Sequence, residues 1–229
     1  MTTWKRIKNK IRYIRYQRAI STDSVEDRFS NIYKKKLWFR NGESQSGSGS
    51  TLEATKQLRE ELPEILIKLK CNTLLDLGCG DFNWMKEVKL PCNYIGVDIV
   101  KSVIENNKVQ YASESVQFMH INPGNEPLPS SDVILCREVL FHLSLDDCYS
   151  ILQNMLQSGA SHIIITNHKE TVLNKDIRSG EFRNLNMRSA PFNFPEPKIS
   201  MKDDQISRSR TLDVWSVKDI KLDRSLFND

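Results

Sequence analysis

Apolar positions along this chain recur at two different periods, and the change of period divides it. Trp4, Ile7, Ile11 and Ile14 recur every three or four residues, which predicts an amphipathic helix over "TWKRIKNKIRYIRYQRAI" (3–20). The segment "STDSVEDRFSNIYKKKLW" (21–38) predicts a second helix, capped by Ser21 or Thr22. Leu52, Leu58, Leu62, Ile65, Leu66 and Leu69 give the apolar face of a third, with Ser50 and Glu53 spaced as a capping box and Pro63 as a kink or restart. Beyond Thr73 short apolar runs take over: "TLLDLG" (73–78), "YIGVDI" (94–99), "VQFMHI" (116–121), "DVILCRE" (132–138) and "HIIITNH" (162–168). Helical patterns at 84–88, 100–112 and 145–156 fall between them. Strands apolar on both faces and alternating with helices predict a mostly parallel α/β sheet covered on both sides. After Asn174 the chain turns polar and irregular until "RTLDVWSV" (210–217), expected as an antiparallel strand at the end of the sheet.

With 229 residues, 39% hydrophobic and 27% charged, the composition fits one sizeable core. No apolar run approaches the roughly 20 residues that cross a bilayer, and the N-terminus lacks the apolar centre of a signal peptide. Five scattered cysteines with no C-x-x-C pair predict reduced thiols, a cytoplasmic location and no zinc or other metal site. The net charge of +4 hides an asymmetry: residues 1–40 carry twelve Lys/Arg against three acids, a balance of +9, leaving −5 for the rest. This basic arm is expected to pack on its own domain, or to meet an acidic protein or the membrane surface, peripherally at the inner membrane. Confinement of the charge to the arm argues against nucleic acid. The glycine-serine stretch "NGESQSGSGS" (41–50) reads as a linker or a lid, dividing the chain into an arm with its loop (1–50) and a main domain (51–229).

The turn after the first strand carries the chemistry. In a doubly wound sheet, ligands bind beyond the carboxyl ends of the strands. "LLDLGCGDFNW" (74–84) places Gly78 and Gly80 there, but a dinucleotide loop of the form G-x-G-x-x-G fails at Asn83. Asp81 would also repel a pyrophosphate, whereas an acid suits a positively charged sulfonium cofactor.

"LLDLGCGDFNWM" resembles motif I of the class I S-adenosylmethionine-dependent methyltransferases, and "DVILCREVLFHLS" is similar to their fourth-strand motif. The resemblance covers about 73–168 and implies a Rossmann-like doubly wound fold with S-adenosyl-L-methionine as cofactor. It implies that Asp76, Gly78, Cys79 and Gly80 surround the methionine moiety. Asp98, eighteen residues past Gly80, matches the ribose position, with Ile99 beside it, and Asn122 or a neighbour takes the adenine position. Arg137, at the end of the fourth strand, would be costly if buried unpaired and is expected to meet Glu138, the cofactor's tail or the substrate. "ESQSGSGS", "CGDFNWM", "CREVLFHL" and "GEFRNLN" together resemble a bacterial subgroup of small methyltransferases associated with surface-glycan genes.

Methylation of an oxygen needs a general base near the transition state. His142 and His168, at the ends of the fourth and fifth strands, are the two catalytic candidates, with structural roles as the alternative. Trp38, Arg183 and Asn186 are candidates for contacting a small or glycan-type acceptor, and Trp38, Glu43 and Ser46–Ser50 for a lid. The expected reaction is O-methylation; a cofactor-binding protein without catalysis and a nicotinamide-dependent oxidoreductase are the alternatives.

Overall fold

The structure is a computed structural model that describes residues 3–39, 43–205 and 207–227. Three helices precede the sheet: α1 (Thr3–Ala19), α2 (Val25–Lys34) and α3 (Lys56–Lys68). The strands are β1 (Thr73–Leu77), β2 (Asn93–Asp98), β3 (Val116–His120), β4 (Val133–Cys136), β5 (His162–His168), β6 (Ile199–Lys202) and β7 (Arg210–Ser216). Helices α4 (Lys101–Tyr111) and α5 (Leu145–Gln157) are crossovers. The seven strands form one sheet in the order β3-β2-β1-β4-β5-β7-β6. The first five run parallel; β7 is antiparallel to β5, and β6 to β7. This is the doubly wound, mostly parallel architecture expected, with one correction. The strand at 210–217 is not the edge: β6 covers it. Four residues, "ISMK", with only Met201 buried, are too short and polar to announce a strand.

Local chemistry moved two helix starts. Ser24, not Ser21 or Thr22, caps α2, its hydroxyl accepting from the Asp27 amide at 3.1 Å. The box from Ser50 to Glu53 does not form, because Thr51 takes the role: its hydroxyl accepts from the Ala54 amide (3.2 Å) and its carbonyl from the Thr55 hydroxyl (2.8 Å). The helix begins five residues later and continues through Pro63.

Strand alternation assigns side chains to two cores. Leu75, Leu77, Val97, Ile134, Cys136, Ile163 and Ile165 pack on one side of the sheet with α2 and α5. Leu74, Val133, Leu135, Ile164 and Val214 pack on the other with α3. Ile20, Phe29, Ile32 and Tyr33 belong to the first of these cores, so the segment carrying α2 is built into the domain, while the outer face of α1 is exposed.

Candidate active site

The carboxyl ends of β1 to β4 converge on a cavity of about 530 Å³, within the range of small-molecule sites. Gly78, Asp98, Ile99, Asn122, Arg137 and Glu138 line its sheet side. Phe29 and Tyr33 of α2, with Trp38, Ser46 and Ser50, line the opposite wall; His142, Asp147 and Ile151 complete it.

Asp98 ends β2, buried, with each carboxylate oxygen holding one backbone amide: Gly80 N–H at 3.0 Å and Val100 N–H at 2.9 Å. Burial raises its pKa, and the two amides oppose the rise. Each oxygen keeps a second lone pair, so the group can still accept from a vicinal diol. Asn122 spends one lone pair of its carbonyl oxygen on the Gly124 amide (3.1 Å), and its own N–H goes to Glu126 (2.7 Å).

The glycines serve the protein's own packing as much as any ligand. Gly78 and Gly80 have φ of +77° and +56°, a region costly for other residues. A side chain on Gly78 would collide with Val139, and one on Gly80 with Ser46. Gly78 borders the cavity; Cys79 and Gly80 do not, and Cys79 is buried beside Gly96. Asp81 is also withdrawn from the cavity. Its carboxylate accepts from the Ser44 hydroxyl (2.9 Å), the Gln45 amide (2.6 Å) and the Ser46 hydroxyl (3.0 Å). The expected electrostatic role of Asp81 toward a cofactor is therefore replaced by a structural one. It clasps the loop at 43–50 to the glycine turn, helped by Asn83, which donates to Glu43 (2.9 Å) and the Ser50 carbonyl (3.0 Å).

Asp76 is likewise not a cavity group. The period of two that turns Leu75 and Leu77 toward the cavity-side core turns Asp76 to the other face. There it is buried and accepts from the Tyr94 hydroxyl at 2.7 Å. Burial raises its pKa to about 7, against the lowering effects of Tyr94 and Arg137. The folded protein thus holds a proton that the unfolded chain releases near pH 4. Between about pH 4 and 7 this group costs stability as pH rises, by at most about 1.4 kcal/mol per unit, and above 7 the cost is constant. Asp76→Asn should flatten that slope, so its urea midpoint should gain on the wild type from pH 4 to 7. Parallel curves for the two proteins would count against a raised pKa.

Arg137 and Glu138 lie in a buried ionic quartet. Arg137 makes a two-point bond to Asp203 (3.1 and 2.8 Å), Arg210 bonds Asp203 (3.1 Å) and Glu138 (2.6 Å), and Arg137 lies 3.4 Å from Glu138. Burial pushes the Glu138 pKa up, but Arg137 and Arg210 outweigh it and hold it below the ordinary range. Glu138 is thus anionic in the cavity wall, directly under Gly49, whose Cβ would strike its carboxylate. Arg137, expected to meet the cofactor's tail, has its charge directed at Asp203.

His142 stacks on Trp38 (centroids 4.8 Å apart, planes at 27°), and its Nδ1 is 2.8 Å from the Glu181 carbonyl oxygen. A carbonyl only accepts, so Nδ1 carries the proton and Nε2 the lone pair. Burial lowers the pKa of this ring, which keeps it neutral. His168 lies elsewhere: it is buried outside the cavity, with Nδ1 accepting from the Leu185 amide at 3.3 Å. Burial first, then Arg210, lowers its pKa to about 4. Arg183 and Asn186 are also corrected. Arg183 is buried with its guanidinium on the Leu143 carbonyl and Cys148, and Asn186 donates to the carbonyls of Lys169 (3.2 Å) and Thr171 (3.0 Å). Both fasten the long polar segment to the domain rather than face an acceptor.

Among the described residues no group of three or more His, Cys, Asp or Glu is placed to hold a metal. The sequence reading missed Tyr33 and the Asp203–Arg210 partners of Arg137 and Glu138. Their partners lie 13 to 72 residues away along the chain, beyond any local pattern.

Residues 75–164 match the family model described as a methyltransferase domain. That match covers 90 of the 229 residues of this chain, from within β1 to within β5. Its fold is shared with human N-acetylserotonin methyltransferase, solved with S-adenosylmethionine, at 16% identity and a TM-score of 0.57, over 93% of this chain and 66% of that one. This chain therefore spans just under two thirds of the human enzyme's length. The magnesium protoporphyrin IX methyltransferase of Synechocystis PCC 6803, also solved with that cofactor, aligns at 11% identity and a TM-score of 0.56, over 85% of this chain and 96% of that one. An S-adenosylmethionine-dependent methyltransferase of Clostridium acetobutylicum aligns at 13% identity and a TM-score of 0.52, over 73% and 95%. At such identities the likeness is one of fold. No curated protein matches the sequence.

Proposed function

We propose that this protein is a methyltransferase that binds S-adenosylmethionine in the 530 Å³ cavity and transfers its methyl group to an oxygen of a small or glycan-type acceptor. The charge balance of the cavity wall supports the cofactor. Asp98, Glu138 and Asp147 line it, and the one arginine among the described lining residues, Arg137, is matched by buried Asp203. Such a wall suits a sulfonium and a ribose diol, and among the described residues it offers a pyrophosphate no free cation, which disfavours a nicotinamide dinucleotide. When bound, the cofactor supplies an electrophilic methyl group. The chain's part is then to hold the reactants in line, exclude water and remove a proton.

The observation that carries oxygen methylation is the tautomer of His142. Its Nδ1–H is committed to the Glu181 carbonyl, its pKa is lowered by burial, and Nε2 has no protein partner among the described residues. That is a neutral base fixed in the cavity wall and braced by Trp38. Transfer of labelled methyl from S-adenosylmethionine to pooled sugar and phenol acceptors tests the reading. With a working acceptor, His142→Ala should lower kcat by about 10² to 10⁴ with little change in cofactor affinity. As pH is lowered, the wild-type kcat should fall only below the usual imidazole range. Cofactor binding with no transfer to any acceptor would instead favour a non-catalytic binding protein, and full activity in His142→Ala would remove the histidine from the mechanism.

A further inference from the structure

Helix α1 contributes no residue to the cavity lining and has little support from the domain. It carries seven Lys/Arg and no acid, so like charges face one another at spacings of three and four, an arrangement that destabilises an isolated helix. Trp4, Ile7, Ile11 and Ile14 are 66, 46, 53 and 40% exposed. At about 100° of rotation per residue these four side chains share an arc of roughly 80°. Tyr16 leaves the helix from about the opposite side. Tyr16 is the anchor: its hydroxyl donates to the Gly180 carbonyl and accepts from the Trp38 indole N–H at 3.1 Å. The apolar stripe therefore faces away from the domain. Exposed Lys8 and Arg15 border it on one side and exposed Lys10 on the other.

Two deficits coincide on one surface: among the described residues, an apolar stripe with nothing to cover it and a band of positive charge with no acid bonded to it. A nucleic acid would answer the charge and leave the stripe in water. An acidic protein would need an apolar groove of matching length within its acidic face. An anionic bilayer surface answers both at once, because headgroups meet the cations while the stripe enters the acyl boundary, where tryptophan is favoured. We propose that α1 docks the protein on anionic lipid, lying in the plane of the interface. No helix among the described residues is long and apolar enough to cross a membrane, which is consistent with surface attachment. Since Tyr16 bonds Trp38, and Trp38 lines the cavity, the docked helix would hold the catalytic cavity beside the lipid surface.

Flotation of the full chain with vesicles tests this, using phosphatidylcholine alone and phosphatidylcholine mixed with phosphatidylglycerol. The mixed vesicles should bind at least about tenfold more tightly, and the advantage should shrink as salt shortens the Debye length. The double substitution Ile7→Asp with Ile11→Asp should weaken binding by about tenfold or more and leave the melting temperature unchanged, because both side chains are exposed. No binding to the mixed vesicles would overturn the proposal. So would binding that survives the double substitution, since the arm would then be a simple polycation, equally served by heparin or duplex DNA.

Discussion

Replacing Asp98 by alanine should weaken S-adenosylmethionine binding at least about 100-fold in calorimetric titration, on the scale of two lost hydrogen bonds to a charged group at roughly 1.5–3 kcal/mol each. The loss has two sources. The carboxylate has lone pairs left for a diol, and it also pins the glycine turn through the Gly80 amide. Asp98→Asn separates them. Its oxygen can keep one amide, but its NH₂ group would confront the N–H of the other, so the turn should loosen while the side chain stays polar and of the same size. If the ribose contact dominates, the asparagine variant should retain part of the affinity; if the turn dominates, both variants should lose it alike. NAD should bind to none of the three proteins. Unaltered affinity in Asp98→Ala, with the fold intact by circular dichroism, would place the cofactor elsewhere.

The parts of this site legible in the sequence are those set by short-range order. Five parallel strands announced themselves as apolar runs, and Gly78 just after β1 and Asp98 at the end of β2 stand at a spacing that the sheet converts into one cavity wall. What could not be read is where polar residues spend their hydrogen bonds. Asp76 and Asp81 are both acids within five residues of Gly78, yet neither reaches the cavity. One is turned to the far face by strand alternation, and the other is consumed by a serine loop some 36 residues upstream. His142 and His168 look equivalent as strand-end histidines, but only the first borders the cavity, because Leu185 folds its backbone over the second. Arg183 and Asn186 sit in a polar segment that resembles a binding surface; their work is to satisfy carbonyls of a loop that lacks regular structure.

Asp203 gives the largest expected effect on stability. Its side chain is fully buried between Arg137 and Arg210, which are themselves nearly so. Removal of one partner from a buried ionic cluster leaves uncompensated charge, and typical costs are about 3–5 kcal/mol. Asp203→Ala leaves two guanidinium groups facing only Glu138, and should fall in that range in urea unfolding. Asp203→Asn, which retains an acceptor for one guanidinium, should cost less. The penalty belongs to the unpaired charge rather than to the bond itself, so pairing Asp203→Leu with Arg137→Met should recover part of the loss, an explicitly non-additive outcome. Additive losses in the double variant would mean that the side chains act through packing, and that the quartet's electrostatics are minor. The functional consequence follows from Glu138. Its carboxylate is held ionised in the cavity wall by Arg137 and Arg210, and Asp203 fixes where those two arginines stand. In Asp203→Asn, a variant mild enough to stay folded, cofactor affinity should decline while NAD remains excluded. An unchanged affinity would show that the sulfonium site does not depend on the alignment of the quartet.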